Sequence, residues 1–241
     1  MSDDDVGRAI GDLASGDTDP SAWARAARVL SRSARAAGAG AVASGRWMAE
    51  LLIDAAPRIP VRDLETLRAH HPGKTGADLA AELVRTATRS SAAIGAAAGA
   101  LASAEELAPP TWVALPFELV VETLAIAALE MKLVAELHEA FEQPVTGTPS
   151  DRASAIVKAW AERRGVTPST LMRRGGVTDT LGRGARNEVV RLVRRRLVRR
   201  LGRNLSTLAP LLIGAAAGAE VNRRATRDLA EAVTRDLAAR P

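Results

Sequence analysis

The sequence predicts an all-α fold, a single-domain bundle of about eight or nine helices in which two Gly-x-x-x-Gly helices pack closely. Three observations point there. Alanine supplies roughly one residue in five, about three times its usual share, and Ala with Leu favours helix. Aromatic residues make up only 2% of a chain that is 47% hydrophobic, so the aromatic partners that strands favour are scarce. Gly and Pro also fall where they delimit runs of helical length.

Residues 1–18 carry Asp3, Asp4, Asp5, Asp12 and Asp17 against the single Arg8, and read as a loose, disordered acidic tail. The domain is expected over 19–241. Asp19-Pro20 is a helix start, with Asp at N-cap and Pro at the first helical position, and that helix runs to the Gly38/Gly40 break. A helix around Trp47–Ala56 ends at Pro57, and a short one over Arg62–His70 stops at His71-Pro72-Gly73. A long helix from about Gly76 to Ala102 is followed by Pro109-Pro110 and an apolar helix reaching about Glu142. After the turn-rich 143–150, Asp151 opens a helix to about Arg164. A basic helix over Asn187–Arg203 and a final helical stretch from Ser206 to Arg240, interrupted at Pro210, complete the order.

The residue inventory excludes several chemistries. With no Cys, disulfide scaffolds, thiolate zinc sites, Fe–S clusters and thiol nucleophiles are impossible. The histidines are His70, His71 and His138 alone. Adjacent His70 and His71 diverge on regular structure, and His138, which shares a face with Glu130 and Glu142, reads as a satisfied surface histidine. Gly73-Lys74-Thr75 resembles the end of a phosphate loop, but Arg68 stands where that loop needs its first Gly. Gly182-Arg183-Gly184 fails as a dinucleotide fingerprint, because Asn187 occupies the third Gly position. No catalytic residue, metal site or cofactor is expected.

Glycine spacing carries more. IGAAAGA occurs twice, at 94–100 and 213–219. Ser91, Gly95 and Gly99 line one helix face, and Pro210, Gly214, Gly218 and Asn222 line another. Gly inside a helix costs up to ~1 kcal/mol relative to Ala, so two on one face predict a neighbour too close for a Cβ. Glu122 and Lys132 lie in the apolar helix and are expected as buried polar residues, with Lys132 a possible partner for a buried carboxylate.

The net charge of +5 is unevenly distributed. Arg191, Arg195, Arg199 and Arg203 form one i+4 ladder, with Arg194, Arg196 and Arg200 beside it and Val189, Val193, Leu197 and Leu201 opposite. The two ladders lie roughly 160° apart. That is a basic amphipathic helix suited to an anionic membrane surface. An acidic protein is the alternative partner. Nucleic acid fits less well, since the helix has no aromatic for stacking. The acidic start MSDDDVGRAIGDL lacks the basic and apolar regions of a secretory leader, so a cytoplasmic location is expected. No stretch reaches the ~18–20 apolar residues of an ordinary spanning helix.

The order Gly95-x-x-x-Gly99, then Pro116, Glu122 and Lys132, then Pro210-x-x-x-Gly214-x-x-x-Gly218-x-x-x-Asn222 resembles the EcsC family of bacterial proteins over roughly residues 58–238. The final run is its most specific part. Lys132 stands where that pattern has Arg, and Ala140-Phe141 replaces an aromatic-Gly pair. The resemblance implies an accessory protein at the inner face of the cytoplasmic membrane, with a transporter as a conceivable membrane-protein partner. It supplies no catalytic residues and no oligomeric state.

Overall fold

The computed structural model describes residues 3–14, 20–37, 46–105, 117–163 and 211–240. The described residues are all-helical: eight α-helices and one 3₁₀ turn. In chain order these are α1 (Asp3–Ala14), α2 (Pro20–Ala37), α3 (Arg46–Ala55), α4 (Leu64–His70), α5 (Gly76–Glu105), α6 (Phe117–Ala140), α7 (Pro149–Arg163) and α8 (Leu211–Ala238), with the 3₁₀ turn Ala56–Arg58 after α3. The basic stretch 187–203 and Pro210 lie outside the described residues.

Helix α6 is the centre of the bundle and touches each of the other seven helices. Between Val121 and Leu137 every residue is buried except Lys132, which is half-buried. A helix apolar on all sides has no solvent face to offer and belongs inside. Leu124, Ile126, Met131 and Leu137 are among its fully enclosed side chains. The helices that end before Pro57 and at His71-Pro72-Gly73 stop where expected, while α7 opens at Pro149, two residues ahead of Asp151. Asp63 caps α4 by accepting from Thr66 N at 2.9 Å. Thr148 and Asp151 cap one another at the start of α7, the carboxylate accepting from Thr148 N at 3.1 Å and the hydroxyl from Asp151 N at 3.2 Å.

The N-terminus differs from expectation. Asp3–Ala14 is a helix and part of the core, not a loose tail. Val6, Ile10 and Leu13 recur at i, i+4 and i+7, and all three are buried, so α1 seats an apolar stripe against α2, α3 and α6. Its acidic start is favourable where the helix dipole is positive. Gly7 leaves the space in which the Arg58 side chain lies against the helix, and a Cβ there would stand 2.6 Å from Arg58 Cδ.

The most extensive pairing joins α5 to α8. The helices run antiparallel and cross at Gly95 and Gly218. A Cβ on Gly95 would lie 2.6 Å from the Gly218 carbonyl oxygen, and one on Gly218 would lie 2.7 Å from the Gly95 carbonyl oxygen. Backbone meets backbone here, so neither position has room for a side chain.

Candidate functional site

The polar residues that the helices enclose gather around α6. Its sequence places Glu122, Glu130 and Glu136 in a helix that packing buries, and burying a carboxylate is costly unless donors from elsewhere reach it. Each receives them from a neighbouring helix or connecting segment. Glu122 Oε1 accepts from the Asn222 side-chain amide on α8 at 2.6 Å, both groups buried. Glu130 Oε2 accepts from the Trp160 indole on α7 at 2.9 Å. Thr226 on α8 places its hydroxyl 3.1 Å from Glu130 Oε1 and 2.8 Å from the Ser91 hydroxyl on α5. Thr226 has one proton for these two contacts, so with the carboxylate ionised it donates to Glu130 and accepts from Ser91.

Glu136 is held by Arg62, which precedes α4. The guanidinium donates Nε to Oε1 at 2.8 Å and Nη2 to Oε2 at 2.7 Å, and the Arg62 backbone N–H adds a third contact at 3.3 Å. This is a bidentate fork on a nearly buried carboxylate, the strong form of such a pair. Two further acids continue the clasp at i+3 and i+6. Burial raises the Glu139 carboxyl, while the Leu64 backbone N–H hydrogen-bonds it and Asp63 adds repulsion. Glu142 pairs with Arg68 at 2.7 Å in the open.

The small-residue face assembles around this network. Ser91, Gly95, Gly218 and Asn222 come together at the α5–α8 crossing. Gly95 does two things there: it admits the Gly218 backbone, and it leaves the space through which Asn222 reaches Glu122. A Cβ at position 95 would stand 2.6 Å from Asn222 Nδ2. Gly99 and Gly214 lie on the same two helices.

Glu122 and Lys132 are not partners. They are ten residues apart on one helix, roughly 15 Å along its axis, and Glu122 turns to Asn222 instead. Lys132 is half-buried; burial lowers its pKa, Arg62 lowers it further, and Glu136 opposes both. Nor do His138, Glu130 and Glu142 converge. His138 Nδ1 faces the Gln143 carbonyl at 3.2 Å, while the two carboxylates turn to Trp160 and Arg68. Among the described residues, no three His, Asp or Glu side chains are grouped to hold a metal ion. Lys74, from the phosphate-loop look-alike, forms an ion pair with Glu82.

Sequence reading missed Glu136, Arg62, Trp160 and Thr226, and set Glu130 beside His138 rather than against Trp160 and Thr226. One signal was available: Thr226 continues the 214–218–222 ladder by four residues. Chemically, charge-assisted hydrogen bonds join α6 to α7, to α8 and to the segment before α4, and Ser91 ties α5 in through the Thr226 hydroxyl. Among the described residues, no helix is long and apolar enough to cross a membrane. Comparison with known protein families, curated proteins and solved structures finds no match for this chain.

Proposed function

We propose that the chain is a non-enzymatic accessory or regulatory protein that associates peripherally with the inner face of the cytoplasmic membrane. One observation carries this reading. Between residues 183 and 203 the sequence places Arg183, Arg186, Arg191, Arg194, Arg195, Arg196, Arg199, Arg200 and Arg203 against the single acid Glu188. A cationic segment of that density is attracted to anionic head groups by about 1 kcal/mol per arginine near the surface, within a Debye length of roughly 8–10 Å. Two further features support it. The buried carboxylates of α6 take their hydrogen bonds from neighbouring helices and so act as packing pins. The resemblance to EcsC proteins points to the same cell surface. The bundle is then a scaffold that presents the basic segment, and a membrane protein such as a transporter is a fitting partner.

Co-sedimentation of the full chain with phosphatidylglycerol or phosphatidylcholine vesicles, at low and high salt, tests the reading. Salt-sensitive binding to the anionic vesicles alone is expected. Replacing Arg191, Arg195 and Arg199 with Gln should abolish it while leaving helicity intact. Failure of the unaltered chain to bind anionic vesicles at low salt would overturn the proposal and leave a helical module whose partner is an acidic protein or nucleic acid.

A further inference from the structure

The fork between Arg62 and Glu136 decides the surroundings of Lys132. Lys132 and Glu136 stand four residues apart on α6, a spacing at which a lysine and a glutamate ordinarily pair. Here they do not. Arg62 takes both carboxylate oxygens, with Nε on Oε1 at 2.8 Å and Nη2 on Oε2 at 2.7 Å. A planar guanidinium matches a carboxylate better than the point charge of an ammonium does. Among the described residues, Lys132 is left with no carboxylate within ion-pair distance.

The other lysines of the chain, Lys74 and Lys158, are placed differently. Lys74 is ion-paired with Glu82, and Lys158 lies exposed on α7 and is engaged as well. Lys132 is the one residue between Val121 and Leu137 that is not buried, so it keeps a path to solvent from an otherwise enclosed helix. The charges acting on it are Glu136 on its own helix and Arg62 in the segment before α4. Burial disfavours the ammonium most, Glu136 favours it and Arg62 opposes it, and the net effect lowers its pKa. A neutral amine is the nucleophilic form of lysine, and desolvation beside a second cation is an arrangement that activates it.

We propose that Lys132 is a site of covalent acylation, its Nζ attacking the carbonyl carbon of an activated acyl donor such as an acyl phosphate. The N–C bond forms as the bond from that carbon to the phosphate oxygen breaks. Phosphate leaves with the electron pair, and the amine proton passes to water. The product suits the place. An amide is uncharged, so it removes an ammonium that is costly to bury, and it leaves the Arg62–Glu136 pair balanced on its own. A carbamate would instead set a second anion beside Glu136. This assignment does not depend on the membrane reading.

The test offers acetyl phosphate to the full chain at about pH 8 and measures the label at Lys74, Lys132 and Lys158 by mass-spectrometric peptide mapping. Lys132 should acquire label ahead of the other two. Two variants, each first checked for native helicity and cooperative unfolding, act on opposite ends of one ion pair. Arg62→Gln frees Glu136 to pair with Lys132, which should bring labelling down to the level of Lys74. Glu136→Gln removes the attraction and leaves the repulsion from Arg62, so labelling of Lys132 should rise above that of the unaltered chain. A merely loosened fold would raise labelling in both. Where a variant does not fold, the pH profile of the unaltered chain decides: labelling at Lys132 should persist to lower pH than at the other lysines. Equal labelling of the three lysines, superimposed pH profiles, or a Lys132 rate that moves the same way in both variants would overturn the assignment.

Discussion

The same substitution, Gly to Ala within a helix, should have opposite signs at two positions in this molecule. At Gly95 the new Cβ lies 2.6 Å from the Gly218 carbonyl oxygen, 2.8 Å from its carbon and 2.6 Å from Asn222 Nδ2. Restoring an ordinary separation of roughly 3.5 Å requires α5 and α8 to part by roughly 0.9 Å at the crossing. A gap of that size forfeits a quarter to a half of each van der Waals contact along the pairing. Overpacking of this kind costs about 1–3 kcal/mol. Displacing Asn222 also weakens its hydrogen bond to buried Glu122, and a hydrogen bond to a charged group is worth about 1.5–3 kcal/mol. Helix propensity returns only about 1 kcal/mol. The net expectation is a loss of about 2–4 kcal/mol. At Gly11 the nearest atom to a new Cβ is the Arg58 carbonyl oxygen at 3.4 Å, then Pro60 Cδ at 3.8 Å. Both are ordinary contacts, so Gly11→Ala should gain about 0.5–1 kcal/mol from propensity alone. Urea unfolding followed by far-ultraviolet circular dichroism measures both. Gly218→Ala collides with the same backbone from the other side, so the Gly95/Gly218 double variant should cost less than the sum of the singles. A Gly95→Ala protein as stable as the unaltered chain would refute the account of why these helices carry glycine.

Three other perturbations follow from the same geometry. Trp160→Phe keeps most of the buried ring but removes the indole donor to Glu130; it should lower stability by about 1.5–3 kcal/mol, and an unchanged urea midpoint would count against the carboxylate's need for that bond. Glu142 closes α6 with a left-handed φ of 58°, where a Cβ costs about 1–2 kcal/mol; Glu142→Gly should therefore be about 1 kcal/mol more stable than Glu142→Ala, both having lost the exposed Arg68 pair, and equal midpoints would contradict this. His138 is held below its ordinary 6.5, chiefly by burial and also by Arg240 and Arg163, with the Gln143 carbonyl opposing. The unfolded chain then binds the proton more readily between the depressed value and 6.5, so stability falls as the pH drops through that window and recovers above it. Thermal unfolding from about pH 7 to about pH 5 should show a shallower decline for His138→Gln, and parallel curves would exclude a role for this histidine.

How much of this could be read from the chain depends on whether a residue's reason is local. Pro57, Pro72 and Gly73 act on their own backbone, so the helix ends near 55 and at 70 follow from them directly, whereas α7 opens at Pro149, two residues ahead of the expected Asp151. The glycine face was legible for a related reason: Gly in a helix carries a local cost, and two at four-residue spacing demand a compensation whose nature, close approach, is general even when the partner is unknown. Helix α1 was misread because three consecutive aspartates and two glycines outweighed the quieter i, i+4, i+7 signal of Val6, Ile10 and Leu13. Gly7 is a milder sign of the kind Gly95 gives, since the Arg58 side chain lies where its Cβ would be, whereas Gly11 has room for one.

The buried carboxylates mark where local reasoning stops. A Glu inside an apolar helix announces that it needs a donor, but nothing near Glu122 identifies Asn222, one hundred residues away, and nothing near Glu130 identifies Trp160, thirty away. Lys132, on the same helix, was the local candidate for such a carboxylate, and a straight helix holds it out of reach of Glu122. The partners are set by which helices surround α6, and that arrangement depends in turn on the glycines that let α5 and α8 close. Asn222 meets Glu122 only because position 95 has no side chain. The legible feature is thus the cause of the illegible one, and for that reason Gly95→Ala should disturb a hydrogen bond to which residue 95 contributes no atom.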